Sequence, residues 1–258
     1  MTTTVVRPGG PLIYSPDFPP LAPNAEDDEF TGTALDPKWT ELDEPAAHQA
    51  ISVDNGQLII LDSSAAAGQN RAGLFQVAPS GDFTMWMKLS LLGGRTQGAT
   101  SITQHIQAGI FFGEDFAAAP STSAAMQILV QWTPNGNANK IRTERYAPFF
   151  NGGAQGVPTP TERLIDRDDL PIYLKLTCKR SPAAYRAAYS IDGIAWQEIS
   201  GTNGTEDHGI TTVVSMGIWA VYANPDAFPP IKVLVDWFRV DSSDASNAQT
   251  PSSQRAVG

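Results

Sequence analysis

Clustered carboxylates are the first residues of this sequence that could do chemistry. Acidic side chains gather in three places, at residues 26–29, at residues 114–115 and at residues 166–169. Hydrolysis of a glycosidic bond needs two carboxyl groups that face one cleft, and on a strand only alternate residues share a face. None of the three groups alternates along a predicted strand. Each group is expected to be solvated surface, and the sequence predicts no catalytic residue.

The histidines and the single cysteine are spaced in a way that argues against a metal or nucleophilic site. His48, His105 and His208 lie in separate segments, without the close pairing of zinc ligands. We expect imidazoles whose hydrogen bonds are satisfied by neighbouring groups. Cys178 cannot form an internal disulfide, and the alternation of residues 171–179 places it on the core side of a strand. It is expected to be a small buried hydrophobe.

One carboxylate lies within an apolar strand pattern. By alternation, the predicted strand face of Asp236 also carries Leu234, Phe238 and Val240. An unpaired carboxylate among core residues is costly unless a cation or hydrogen-bond donors meet it. A calcium ion would supply the cation, whereas backbone N–H groups or Lys232 would supply the donors. Asp236 is therefore a candidate metal ligand.

Two sets of aromatic residues are candidates for binding. Sugar sites need flat aromatic faces together with planar amide or acid acceptors. The long connection over residues 145–169 carries Tyr146, Phe149, Phe150 and Asn151. A contact with another protein explains this loop as well as a sugar does, and the apolar N-terminal arm favours the protein contact. Trp86, on the polar face of its predicted strand, is a further candidate, with burial under a loop or the arm as the alternative.

Alternation of apolar and polar residues predicts the elements that hold these side chains. Residues 83–91 and 171–179 are typical half-buried strands, and 22 Gly and 20 Pro residues favour short strands joined by turns. Asn55-Gly56 and Asp192-Gly193 are tight-turn signals. About twelve strands and no amphipathic helix predict an all-β sandwich of antiparallel strands, with one domain over residues 30–241.

The two ends of the chain differ from this domain. Residues 1–29 contain six prolines beside apolar residues, which predicts an extended arm that lies against its own domain or a neighbouring subunit, and residues 242–258 form a Ser-rich tail. Seventeen Lys and Arg against 27 Asp and Glu give a net charge of −10, which argues against nucleic acid and anionic membrane as partners. The N-terminus lacks the basic and apolar regions of a secretory signal.

Three motifs follow one another in a recognisable order. Residues 28–42 contain an acidic–aromatic pair, a glycine turn and Leu-Asp-x-x-Trp, formed by Asp28, Phe30, Gly32, Leu35, Asp36 and Trp39. Residues 190–196 have the pattern Ser-x-Asp-Gly-x-x-Trp, and residues 236–240 have the pattern Asp-aromatic-Phe-x-Val. Together these motifs resemble the concanavalin A-like lectin/glucanase modules of the LamG-like jelly-roll type.

The resemblance implies a jelly roll and gives several residues a role. It implies that Trp39 and Trp196 are apolar plugs at the ends of the sandwich. Many such modules hold a structural Ca²⁺ near the first and last strands, which would bring Asp28 to the same ion as Asp236. Glycosidases of this family carry Glu-x-Asp-x-x-Glu on one strand, and no strand here has that pattern.

Modules of this type include hydrolases, lectins, accessory binding modules and virion parts, so the fold alone does not decide the function. We expect a non-enzymatic virion protein, namely a phage capsid-decoration, fibre or tail subunit at the virion surface. It would form homo-oligomers, contact other subunits through the arm and bind surface glycans. The alternative is a carbohydrate-binding accessory module of a bacterial glycoside hydrolase system, extracellular or at the cell surface. A hydrolase with an unfamiliar site is the third reading.

Overall fold

Every regular element that the computed structural model describes is a β-strand. The structure describes residues 4–7, 10–13, 24–44, 49–62, 69–92, 105–118, 123–132, 139–146, 162–165, 171–199, 207–223 and 232–242. The strands are β1 (Thr4–Arg7), β2 (Gly10–Ile13), β3 (Thr40–Glu44), β4 (Gln49–Asp54), β5 (Gln57–Asp62), β6 (Gln69–Val77), β7 (Phe83–Leu92), β8 (His105–Gly113), β9 (Ala125–Trp132), β10 (Asn139–Tyr146), β11 (Glu162–Ile165), β12 (Ile172–Arg180), β13 (Ala183–Ser190), β14 (Gln197–Glu198), β15 (Ser215–Ala223) and β16 (Lys232–Asp241). Among the described residues no helix is long and apolar enough to cross a membrane.

Fourteen of these strands form two seven-stranded antiparallel sheets. The first sheet has the order β11-β10-β9-β8-β15-β6-β3, and the second has the order β14-β13-β12-β7-β16-β5-β4. Strands distant in sequence are neighbours, since β15 lies between β8 and β6 and β16 lies between β7 and β5. One large cluster of buried apolar residues contains members of both sheets. The chain is therefore an all-β sandwich, as its alternation predicts.

The predicted core faces of β7 and β12 are confirmed. Met85, Met87 and Leu89 of β7 are fully buried, and the strand register sets Met87 opposite Leu174 of β12. Cys178 is also fully buried on this face, and burial raises its thiol pKa to about 12. The thiol is therefore protonated and unreactive in the folded protein.

Two turn signals also correspond to the observed backbone. Asn55 and Gly56, between β4 and β5, have φ values of 51° and 76°, which is the left-handed geometry of a tight hairpin. Gly193 has φ 73°, and a Cβ there would lie 3.1 Å from the ring of Tyr173. Glycine thus allows the turn after β13 to pack against the outer face of the second sheet.

Four strands were not predicted, namely β1, β2, β3 and β11. The first two pair only with each other, so this part of the predicted extended arm is a hairpin. Pro11 fits there because a two-stranded sheet leaves one edge of each strand without hydrogen-bonded partners. β11 pairs with β10 and interrupts the predicted long loop between residues 146 and 169.

Candidate functional site

The predicted metal ligand Asp28 accepts hydrogen bonds from protein groups. Its Oδ1 accepts from the backbone N–H of Phe30 at 2.7 Å, and its Oδ2 accepts from the indole of Trp39 at 2.7 Å. Lys38 Nζ lies 3.9 Å from Oδ2. Asp28 also forms a backbone bridge with Phe238 of β16. The residue therefore joins the first segment of the sandwich to the last strand.

Asp236 is not on the core face, which corrects the prediction from alternation. The register of β16 shifts between Val235 and Trp237, so Val235 and Phe238 are both fully buried while Asp236 is partly exposed. Asp236 accepts a hydrogen bond from Gln57 Nε2 at 2.5 Å and pairs with Lys88 Nζ at 2.8 Å. The groups that meet the Asp236 carboxylate are therefore the side chains of Gln57 and Lys88, on the two neighbouring strands, and not the backbone N–H groups or Lys232 that were considered from the sequence.

These two carboxylates do not fit a calcium ion. Each has its own set of N–H donors, and a lysine ammonium lies near each one. Calcium takes six to eight oxygen ligands, and a nearby ammonium repels it. Over the part of the chain that the structure describes, no group of three or more His, Cys, Asp or Glu could hold a metal ion.

The prediction that the acidic residues 26–29 are solvated surface is wrong for part of this run. The side chain of Asp27 is only 4% exposed, its Oδ1 accepts from the backbone N–H of Val240 at 2.7 Å, and its Oδ2 lies 3.7 Å from Arg239. Glu29 pairs with the same arginine. Asp27 and Asp28 thus attach the end of the arm to β16. Residues 166–169 lie outside the described residues.

His208 is a satisfied core imidazole, as predicted. Its Nε2 is 3.0 Å from the carbonyl of Lys179, and its Nδ1 accepts from the backbone N–H of Ile210 at 3.1 Å. One nitrogen donates and the other accepts, which is the neutral tautomer. Burial lowers the pKa of His208 below its ordinary value. His48 and the side chain of His105 lie outside the described residues.

Most of the predicted binding loop falls outside the described residues. This applies to Phe149, Phe150 and Asn151, whereas Tyr146 is described only as the last backbone position of β10. Trp86 is described and lies on the outer face of the second sheet, but it is only 6% exposed.

Trp86 belongs to a cluster that the sequence did not predict. Trp86, Tyr173 and Trp237 pack together, and Trp196 packs against them. We call these four residues the aromatic face. Trp196 is therefore not a plug at the end of the sandwich, in contrast to Trp39, which is buried in the main core. The bulge in β16 contributes to the cluster because it turns Trp237 to the outer side.

The outer face of the first sheet carries a line of polar side chains, which we call the polar ladder: Gln107, Gln127, Gln131, Arg142 and Glu144. The strand register brings them together, since Glu144 lies opposite Gln127 and Gln131 lies opposite Gln107. Gln107 Nε2 and Arg142 Nη1 both donate to Gln131 Oε1 at 3.0 Å. Arg142 also pairs with Glu144 through Nη2.

Part of the polar ladder is unsatisfied. The side chain of Gln127 is 0% exposed, and neither its amide nitrogen nor its amide oxygen has a hydrogen-bond partner among the described residues. Glu144 Oε2 is buried and likewise accepts no hydrogen bond within them. A buried amide without partners typically costs about 1–3 kcal/mol. The fold thus tolerates a polar group that its own described side chains do not satisfy.

Aromatic residues and bare backbone surround the ladder. A second apolar cluster lies on this face, made of Phe75, Phe111, Phe116, Ala125, Leu129, Trp219 and Val221. Phe116 folds back from the turn after β8 and meets the ring of Phe111 edge-on at 5.1 Å. Gly109 and Gly217 alternate with these rings in the register, and a Cβ at either would lie about 2 Å from a carbonyl oxygen of the adjacent strand. Amides, a carboxylate and aromatic faces are therefore adjacent on one rigid sheet.

Known proteins share the fold of this chain but not its sequence. No protein-family model matches it, and no curated protein matches it. The potassium-bound carbohydrate recognition domain of Emp46p superposes with TM-score 0.50 at 11% identity, over 80% of this chain and 88% of that one. A glycoside hydrolase family protein of Mycobacterium thermorestibile superposes with TM-score 0.53 at 14% sequence identity, over 83% of this chain and 99% of that one. The GH43 protein BlXynB of Bacillus licheniformis superposes with TM-score 0.53 at 15% sequence identity, over 91% of this chain and 43% of that one. These likenesses establish a lectin-like β-sandwich fold.

Proposed function

We propose that this chain is a carbohydrate-binding module and that the polar ladder on the outer face of its first sheet holds the sugar. The observation that carries the proposal is the fully buried amide of Gln127, whose two polar atoms have no partner among the described residues. Buried polar groups are almost always hydrogen-bonded, so an unsatisfied amide needs an explanation, and we infer that a ligand supplies the missing partners.

The chemistry of the ladder suits hydroxyl groups. Each sugar hydroxyl both donates and accepts, so it can satisfy the N–H and the carbonyl of Gln127 and also donate to Glu144 Oε2. Phe111 and Trp219, in the same region of the sheet, are fully buried, so they hold the ladder rigidly in place and do not themselves contact a sugar. Gln127 is fully covered, whereas Gln131 and Arg142 are half-buried, so a sugar would have to displace these two side chains to reach the Gln127 amide.

Recognition is a better reading of this site than hydrolysis. Glycoside hydrolysis uses two carboxyl groups, and the ladder contributes one, whose Oε1 is already paired with Arg142. Carbohydrate binding is also consistent with the neighbours, which include a carbohydrate recognition domain and glycoside hydrolase proteins. The assembly role in a virion depends on the N-terminal arm, most of which lies outside the described residues, and it stays a prediction.

Affinity electrophoresis and calorimetry with soluble polysaccharides test the proposal. Arabinoxylan and xylan free of uronic acid, mixed-linkage β-glucan and soluble starch form a suitable panel of neutral polymers. We expect at least one polymer to retard the parent protein and Gln127→Leu to lose that retardation. Gln57→Leu is the matched control, because Gln57 lies on the second sheet and donates to Asp236. Binding by none of the polymers, or equal binding by Gln127→Leu and the parent, would overturn the proposal.

A further inference from the structure

Lys175, on the aromatic face, is a half-buried cation that forms no ion pair with the residues that the structure describes. Its Nζ lies 5.7 Å from the centroid of the Trp86 ring, and it forms no hydrogen bond or ion pair with any residue that the structure describes. Lys88, in the neighbouring strand, is a useful contrast. Its Nζ lies 5.9 Å from the Tyr173 ring centroid but also pairs with Asp236 at 2.8 Å. Among the described residues, Lys88 therefore has a carboxylate at contact distance, whereas Lys175 has none.

The surroundings of Lys175 favour an additional anion. Burial lowers the pKa of Lys175, the negative charge of Glu198 raises it in part, and the positive charge of Arg186 lowers it further. The ammonium thus loses hydration and gains only the π face of Trp86 and the field of one nearby carboxylate. A second anion at contact distance would compensate this loss.

The rim of the aromatic face offers apolar surface to such a ligand. Ile194 is 62% exposed and Trp196 is half-buried, and both lie in the turn that follows β13. The turn is fixed by Asp192, whose Oδ1 accepts from the backbone N–H groups of Ile194 and Ala195 at 2.8 Å. The apolar rim is therefore held in place before any ligand arrives.

We propose that the aromatic face binds an acidic sugar, with the sugar carboxylate on Lys175 and the sugar ring against Trp196 and Ile194. Glu198 is exposed at the same edge and would accept hydrogen bonds from sugar hydroxyls. Its charge disfavours a ligand with a dense run of carboxylates, such as an acidic peptide, and favours one carboxylate per ring. This site lies on the second sheet, so it does not depend on the polar ladder of the first.

Titration with short galacturonate oligosaccharides, followed by calorimetry and NMR, tests the site. We expect the parent to bind the free acid at least about tenfold more tightly than the methyl ester of the same oligosaccharide. Lys175→Met should lose the same factor, whereas Lys175→Arg should retain most of the affinity because it keeps the charge. Both variants should fold, since Lys175 is half-buried and has no hydrogen bond or ion pair with a described residue to lose. Gln127→Leu should bind the oligosaccharide as the parent does.

Each contrary result has a distinct meaning. Equal binding of acid and ester, equal binding by Lys175→Met, or no binding of the free acid would overturn the acidic-sugar site. Equal binding of poly-glutamate would show a general carboxylate site and would also overturn it. Loss of galacturonate binding in Gln127→Leu would move the ligand to the polar ladder, again against this inference. Neutral polymers test the ladder separately, so the two proposals can fail independently.

Discussion

Replacing Gln127 by leucine is expected to stabilise the protein while it removes sugar binding. Leucine has a similar volume and no polar atoms, so the substitution removes the two unsatisfied groups of a fully buried amide. Since such an amide typically costs about 1–3 kcal/mol, the free energy of unfolding should rise by about that amount. For a chain of this size, about 1 kcal/mol corresponds to a melting-temperature increase of roughly 2–4 °C.

Gln131→Leu is the matched control for this prediction. Gln131 lies on the same strand and the same sheet face, but its Oε1 accepts hydrogen bonds from Gln107 and Arg142. The same substitution there leaves two donors without their acceptor, which should cost about 1–3 kcal/mol. The two variants are therefore expected to change stability in opposite directions.

Urea unfolding of both variants and the parent, with a constant m-value, measures the two changes directly. A Gln127→Leu protein that is destabilised as much as Gln131→Leu would refute the reasoning, because it would show that the Gln127 amide already has partners. A Gln127→Leu protein that is more stable but still binds the polysaccharide would show that the Gln127 amide is unsatisfied but does not bind the sugar.

Three further predictions concern other groups. Calcium in excess over chelator should leave the melting temperature unchanged, and an increase that Asp236→Asn abolishes would contradict the donor sets of Asp28 and Asp236. Burial lowers the pKa of His208 below its ordinary 6.5, so the unfolded state binds more protons and stability should fall as the pH drops below 6.5; unfolding at pH 5 and 7 should show a smaller difference for His208→Gln. With its pKa raised to about 12, Cys178 should react with iodoacetamide at pH 8 only in urea, and rapid labelling of the native protein would show an exposed thiol.

The fold follows from sequence because alternation is a local signal. The strands β7 and β12 alternate without interruption, so their core faces were predicted correctly, and Asn55-Gly56 fixed one hairpin. Alternation fails where the backbone inserts a residue. The bulge in β16 moved Asp236 off its predicted core face, because a bulge changes the phase without any mark in residue type.

The candidate sites were harder to predict because strand pairing creates them. Gln127 and Gln131 stand out as polar residues in the otherwise apolar strand β9, and this signal could have identified them. Their contact with Arg142 and Glu144 depends on register with β10, which the sequence does not specify by itself. Trp86 was selected for its face, but its neighbours Tyr173 and Trp237 come from two strands distant in sequence.

The side-chain amide signals of Gln127 in a ¹H–¹⁵N NMR titration with the polysaccharide-derived oligosaccharide test the central claim most directly. Gln127→Leu identifies these signals by their absence. Binding at the polar ladder predicts that they shift strongly and saturate with the same dissociation constant as calorimetry gives, because the sugar supplies hydrogen-bond partners that the described residues do not. Saturated binding with the Gln127 amide signals unmoved would contradict the account.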